Sequence, residues 1–107
     1  MLFRSTVQEL ATIARHRVPV IVVVVNNSSY GTIRMHQERH YPGRVVATEL
    51  SNPDFVALAA AFGLRGYRVT RTDEFAPAFV DAEASGQASL IEIVLPTAEL
   101  SPTMKLA

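Results

Sequence analysis

The chain has 107 residues, 49% of them hydrophobic, with ten basic and ten acidic side chains for a formal net charge of +0, and no cysteine. That length and apolar content suit one packed domain and argue against a disordered segment. Balanced charge argues against a chain that grips nucleic acid by electrostatics, and the lack of cysteine excludes disulfides and thiolate metal sites. The apolar run around Ile21 is too short to cross a bilayer and lacks signal-peptide flanks, so the expected location is cytoplasmic, with no membrane partner.

The residues Met1 to Ser5 read as an entry into the middle of a unit. Val7, Leu10, Ala11 and Ala14 then repeat at helical spacing, which predicts a helix from about Ser5 to about His16. Arg15, His16 and Arg17 suit its carbonyl end, and Pro19 stops it. Val20 to Val25 is a continuous β-branched run, as expected of a strand in the middle of a parallel sheet. A helix is expected from Tyr30 to about Gln37, and a loop carrying Tyr41-Pro42-Gly43 over residues 39–50.

Ser51-Asn52-Pro53-Asp54 marks another helix start, with Asn52 as its cap and Pro53 in its first turn. Phe55, Leu58, Ala59 and Phe62 give that helix one apolar face, and Gly63 ends it. Arg65 to Thr70 reads as a short strand. A helix follows from Thr72, with Phe75, Ala78, Phe79 and Ala82 inward, Pro77 near its first turn and Gly86 as its stop. Ser89 to Leu95 is the third strand, and the tail 97–107 is expected to be loosely structured. Phe55, Phe62, Phe75 and Phe79 are all expected in the core.

Strands alternating with helices specify the α/β class. The expected architecture is a three-layer open parallel sheet flanked by helices. It is read as incomplete, because no strand precedes the first helix.

The run Val25-Asn26-Asn27-Ser28-Ser29-Tyr30-Gly31 carries the chemistry. A buried strand ends there and a tight turn feeds a helix. In open α/β sheets ligands bind just past the carboxyl ends of strands, and a helix N-terminus offers N–H groups to an anion. Taken alone, two asparagines are also ordinary turn residues, and strand–turn–helix alone permits a flavodoxin-like phosphate binder. His36 and His40 stand one helical turn apart, but zinc needs further ligands, so a solvated segment is expected. Arg34 and Arg39 are expected at the surface, Glu9 as an exposed charge, and Tyr41 as a packing residue.

The stretches Gln8-Glu9-Leu10-Ala11-Thr12, Pro19-Val20 and Val25 to Arg34 resemble the C-terminal half of the thiamine-diphosphate-binding motif of acetolactate synthases, benzoylformate decarboxylases and pyruvate decarboxylases. The likeness continues through Asn52-Pro53-Asp54-Phe55, Ala61-Phe62-Gly63, Thr72-Asp73-Glu74-Phe75, Leu90-Ile91-Glu92 and Leu100-Ser101-Pro102, nearly the whole chain. It implies that residues 1–107 are a partial C-terminal cofactor-binding domain using thiamine diphosphate and Mg2+. Magnesium would be held by the Asn27 side chain and the Ser29 carbonyl, with Tyr30 and Gly31 N–H groups near the diphosphate and Ile33 toward the substrate. A small 2-keto acid is the implied substrate of the full enzyme.

The departures are specific. The family motif opens with Gly-Asp-Gly, which this sequence lacks, and Val7 stands where a glycine is common. The usual spacing places the metal-binding aspartate just before Met1. The family's catalytic glutamate comes from a separate pyrimidine-binding domain, usually on another chain. No catalytic residue is therefore assigned here, and the chain is expected to be inactive in isolation. A homo-oligomer, or pairing with that second domain, is expected. The alternative is a non-catalytic remnant or interaction module that dimerises through an exposed sheet edge.

Overall fold

The computed structural model describes residues 6–28, 31–44, 46–47, 51–96, 99–101 and 104–105. In chain order the elements are α1 (Glu9–His16), β1 (Ile21–Asn26), α2 (Gly31–His40), α3 (Phe55–Ala61), β2 (Arg65–Val69), α4 (Thr72–Ser85), β3 (Ser89–Val94), β4 (Glu99–Ser101) and β5 (Met104–Lys105). They fall into two compact units, Met1–Val25 with Pro53–Val94 and Asn26–Asn52 with Leu95–Ala107.

The first unit is built on a three-stranded sheet of order β1-β3-β2. β2 and β3 run parallel, with Arg65 opposite Ser89 and Val69 opposite Ile93. β1 runs the same way. Ser89 N–H donates to the Val20 carbonyl at 3.0 Å and Leu95 N–H to the Asn26 carbonyl at 2.9 Å, one constant offset at both ends.

Helices cover both faces, and strand alternation decides which residues meet them. On one face Val24 and Leu90 pack with Leu10 of α1 and with Phe55 and Ala59 of α3. On the other, Val69 and Ile91 pack with Ala82 of α4, flanked by Tyr67, Phe75 and Ala78. β3 is the centre of this arrangement: Ser89, Leu90, Ile91 and Glu92 are all buried.

α3 starts where a carboxylate can cap it. Asp54 Oδ1 accepts from the N–H groups of Val56 and Ala57, both at 3.1 Å. The cap is therefore Asp54 and not Asn52, and Pro53 precedes the helix instead of opening it. After α3, Gly63 takes a φ of +81°, which lets the chain turn straight into β2. Four bonds close this end, with Gly63 N–H to Ala60 O at 3.0 Å, Leu64 N–H to Ala59 O at 2.9 Å, and Phe62 N–H shared between Ala59 O at 3.1 Å and Leu58 O at 3.2 Å. α4 opens without a capping side chain on Arg71. Instead Glu74 reaches back, accepting from the Thr70 N–H at 3.2 Å and the Thr70 hydroxyl at 2.9 Å. Pro77 lies in the second turn of α4, and the helix continues through it.

Three further expectations need correction. Among the described strands β1 lies at one end of the sheet, not the middle, with Val23 43% and Val25 58% exposed. Its continuous apolar run is covered unevenly: Val22 and Val24 pack in the first cluster, while of the other face Ile21 packs against the second and Val23 and Val25 stay exposed. Of the four phenylalanines only Phe55 is buried; Phe62 and Phe75 are half-buried, and Phe79 is 38% exposed against the Phe75 ring. The tail is also more regular than expected, since β4 and β5 pair antiparallel, with Glu99 opposite Lys105 and Ser101 opposite Met104.

The second unit contains α2 and that β4–β5 pair. α2 runs three residues beyond the expected end at Gln37 and contacts β4. Gln37 holds the following segment at two points: its Nε2 donates to the Val46 carbonyl at 3.0 Å and its Oε1 accepts from the Val46 N–H at 3.2 Å. Among the described residues no helix is long and apolar enough to cross a membrane.

Candidate functional site: the turn after β1

β1 ends on Asn26, and the chain turns through Asn27 and Ser28 before α2 begins at Gly31. The turn is made by the Asn26 side chain. Its Oδ1 accepts from the Ser28 N–H at 3.1 Å and from the Ser28 hydroxyl at 3.4 Å, an Asx turn. Ser28 adopts a φ of 56°, a left-handed conformation that a non-glycine residue holds only when its surroundings impose it. The same Asn26 Oδ1 accepts from Asn52 Nδ2 at 3.0 Å, across 26 residues of sequence. Asn26, Asn27 and Asn52 are all half-buried. The Asn26 side chain thus shapes the bend on which Asn27 stands.

Ser29 and Tyr30 lie outside the described residues, as does the side chain of Thr32. Gly31 is the first residue of α2, as the strand–turn–helix pattern requires. Ile33 is 53% exposed, a third of the way along that helix. With His36, Gln37, His40 and Tyr41 it lines an open cavity of about 580 Å³. Tyr41 is 64% exposed, so it does not pack as expected. The His36 and His40 rings lie nearly parallel, 6.2 Å apart at 14°. No group of three histidine, aspartate or glutamate side chains converges on a cation position among the described residues. Arg34 is held along α2 by Glu38 at 3.2 Å, while Arg39 and Glu9 are exposed.

A second polar feature was not legible in the sequence. Glu92 lies on the central strand, only 3% exposed, and its register partner on β2 is Arg68. Arg68 Nε donates to Glu92 Oε1 at 3.0 Å and its Nη2 donates to Asp54, the cap of α3. A buried carboxylate needs such a partner, since an unpaired charge there is strongly unfavourable. The N–H groups of Ala57 and Val56, together with the Arg68 guanidinium, hold the Asp54 carboxyl below its ordinary range. Asp81 is likewise lowered, by the Tyr67 hydroxyl and then by Arg65. None of these contacts is visible beforehand: the sequence pattern offers Asn52 as the cap, and strand register brings Arg68 and Glu92 together across 24 residues.

Residues 2–93 match the family model described as the thiamine pyrophosphate enzyme, C-terminal TPP binding domain. The chain belongs to this family. Over 73 residues this TPP-binding domain is 40% identical to the acetolactate synthase isozyme 2 large subunit of Escherichia coli, covering 67% of this chain and 13% of that protein. Its fold matches the benzoylformate decarboxylase of Polynucleobacter necessarius with a TM-score of 0.78 at 29% identity, covering 94% of this chain and 19% of that one. The thiamine diphosphate-dependent 4-hydroxybenzoylformate decarboxylase of Rhodococcus jostii gives 0.77 at 29% identity, covering 88% and 18%. The TPP-binding domain thus spans less than a fifth of each of these proteins. The α/β class and the parallel sheet flanked by helices agree with these neighbours.

Proposed function

We propose that the turn after β1 anchors the diphosphate of thiamine diphosphate through Mg2+, in an enzyme of the 2-keto-acid decarboxylase or acetolactate-synthase-like carboligase type. Membership of the TPP-binding family supports the cofactor. The observation that carries the metal reading is the geometry at Asn26 to Ser28. A strand end, an Asx turn and a helix start follow one another there, and ligands of open α/β sheets bind beyond the carboxyl ends of strands, which supports Asn27 as a ligand.

The donor chemistry fits. Magnesium takes oxygen ligands and shares them with phosphates, and Asn27 Oδ1 with the Ser29 carbonyl would be two neutral ones. N–H groups of Tyr30 and of Gly31, the first residue of α2, would meet diphosphate oxygens. Ile33 would face the substrate side. The cofactor supplies the chemistry that lets a 2-keto acid lose carbon dioxide; this chain's residues bind, orient and exclude water. In this reading the residues named here supply a share of the cofactor anchoring.

Calorimetric titration with thiamine diphosphate tests the reading. Saturable heat that requires Mg2+, and that weakens at least about tenfold in Asn27→Ala, is the expected result, the loss of one oxygen ligand to the ion. A flat titration, or an Asn27→Ala curve superimposable on wild type, overturns it. The second reading, an interaction module pairing through its sheet edge, is favoured by one observation: Val23 and Val25 are exposed on an end strand.

A further inference from the structure

Asn26 Oδ1 ties the turn to itself and to a distant residue. Its local partners are the Ser28 N–H and, at 3.4 Å, the Ser28 hydroxyl; its remote partner is Asn52 Nδ2 at 3.0 Å. The local bonds fix the bend; the remote one fixes the rotation of the Asn26 side chain. Without it, the amide could turn to solvent and release the Ser28 N–H, and the left-handed Ser28 would relax toward an ordinary φ. Asp54, not Asn52, caps the helix that follows, and the Asn52 amide donates to the turn.

We infer that Asn52 is a positioning residue for the cofactor-anchoring turn: it holds Asn26 in the rotamer that shapes the bend and so sets where Asn27 projects. This rests on the proposed anchoring role of Asn27. The donor is what matters. Asn52→Asp keeps the side-chain size but presents an oxygen to the Asn26 oxygen, so it should fail as fully as Asn52→Ala. Asn26→Asp keeps the acceptor for the Ser28 and Asn52 donors and should preserve the turn.

The test is amide hydrogen exchange on the intact chain, followed residue by residue. In Asn52→Ala and Asn52→Asp the Ser28 N–H should exchange about tenfold faster, the size expected for losing one hydrogen bond. The N–H groups of Tyr67 and Ile91, in the paired strands β2 and β3, should not change. Asn26→Asp should leave Ser28 protected. Unchanged exchange at Ser28, a rise at Ser28 matched by equal rises at Tyr67 and Ile91, or wild-type protection in Asn52→Asp each overturns the inference.

Calorimetry with thiamine diphosphate and Mg2+ on the same variants separates it from the reading beneath. A blank wild-type titration with the Ser28 effect present overturns cofactor anchoring and leaves Asn52 as the residue that shapes the turn. Saturable wild-type binding with an unchanged Mg2+ requirement in both Asn52 variants overturns the positioning role itself.

Discussion

At the scale of single residues, short-range hydrogen bonding governs the polar side chains. Asp54 shows this most clearly, since one carboxylate caps α3 and meets Arg68. Its carboxyl is lowered in the folded chain, first by the Ala57 N–H. The sign follows directly. A carboxylate lowered on folding stabilises the fold above its unfolded pKa, and that contribution is lost as pH falls through the folded value. Glu74, lowered first by the Thr70 hydroxyl, acts the same way. Thermal melts over an acid series should therefore show the melting temperature falling below the ordinary carboxylate range. An asparagine at the cap would still accept from the helix N–H groups, so Asp54→Asn should retain the helix while showing a shallower acid slope than wild type. Equal slopes in the two proteins would contradict this assignment.

At the scale of elements, α3 and β2 approach closely at Gly66. A Cβ built on Gly66 would lie 2.8 Å from Val56 Cγ1, 3.1 Å from the Val56 carbonyl and 3.3 Å from Val56 Cα. Two of those three atoms are backbone, so the helix itself would have to move. Gly66→Ala should destabilise by about 1–3 kcal/mol, the usual cost of overpacking. In a domain of this size that is a fall in melting temperature of roughly 4–8 °C per kcal/mol. Val56→Ala in the Gly66→Ala background should recover only part of the loss, because it removes the Cγ1 clash and leaves the carbonyl contact. Complete recovery would mean that the backbone approach is unimportant. Gly66 is not marked in the sequence as special: a glycine inside a strand signals close approach in general, and only the structure names Val56.

At the scale of the whole molecule, apolar surface is unevenly covered. Val23 and Val25 are 43% and 58% exposed on β1, and Phe79 and Val80 are 38% and 63% exposed on α4. Contiguous apolar surface and unpaired strand edges favour association. Sedimentation velocity over a concentration series should show reversible self-association, reduced in a Val23→Thr, Val25→Thr double variant that keeps β-branched side chains. A monomer at every concentration would remove the edge-pairing reading and leave the cofactor reading untouched.

Much of this protein is written locally in its residues. The α/β class, every strand and helix named from periodicity, and the TPP-binding family follow from 3.6-residue and two-residue patterns and from the Asn-Asn turn with its flanks, because those signals act over a few residues. Tertiary structure alone decided the rest. It took the capping role from Asn52 and gave it to Asp54, bound Asn52 to Asn26, paired Arg68 with buried Glu92, and set β3 rather than β1 at the middle of the described sheet. The Asn52–Asn26 and Arg68–Glu92 partners lie 26 and 24 positions apart in the chain, and strand register and helix packing, not local propensity, choose such partners.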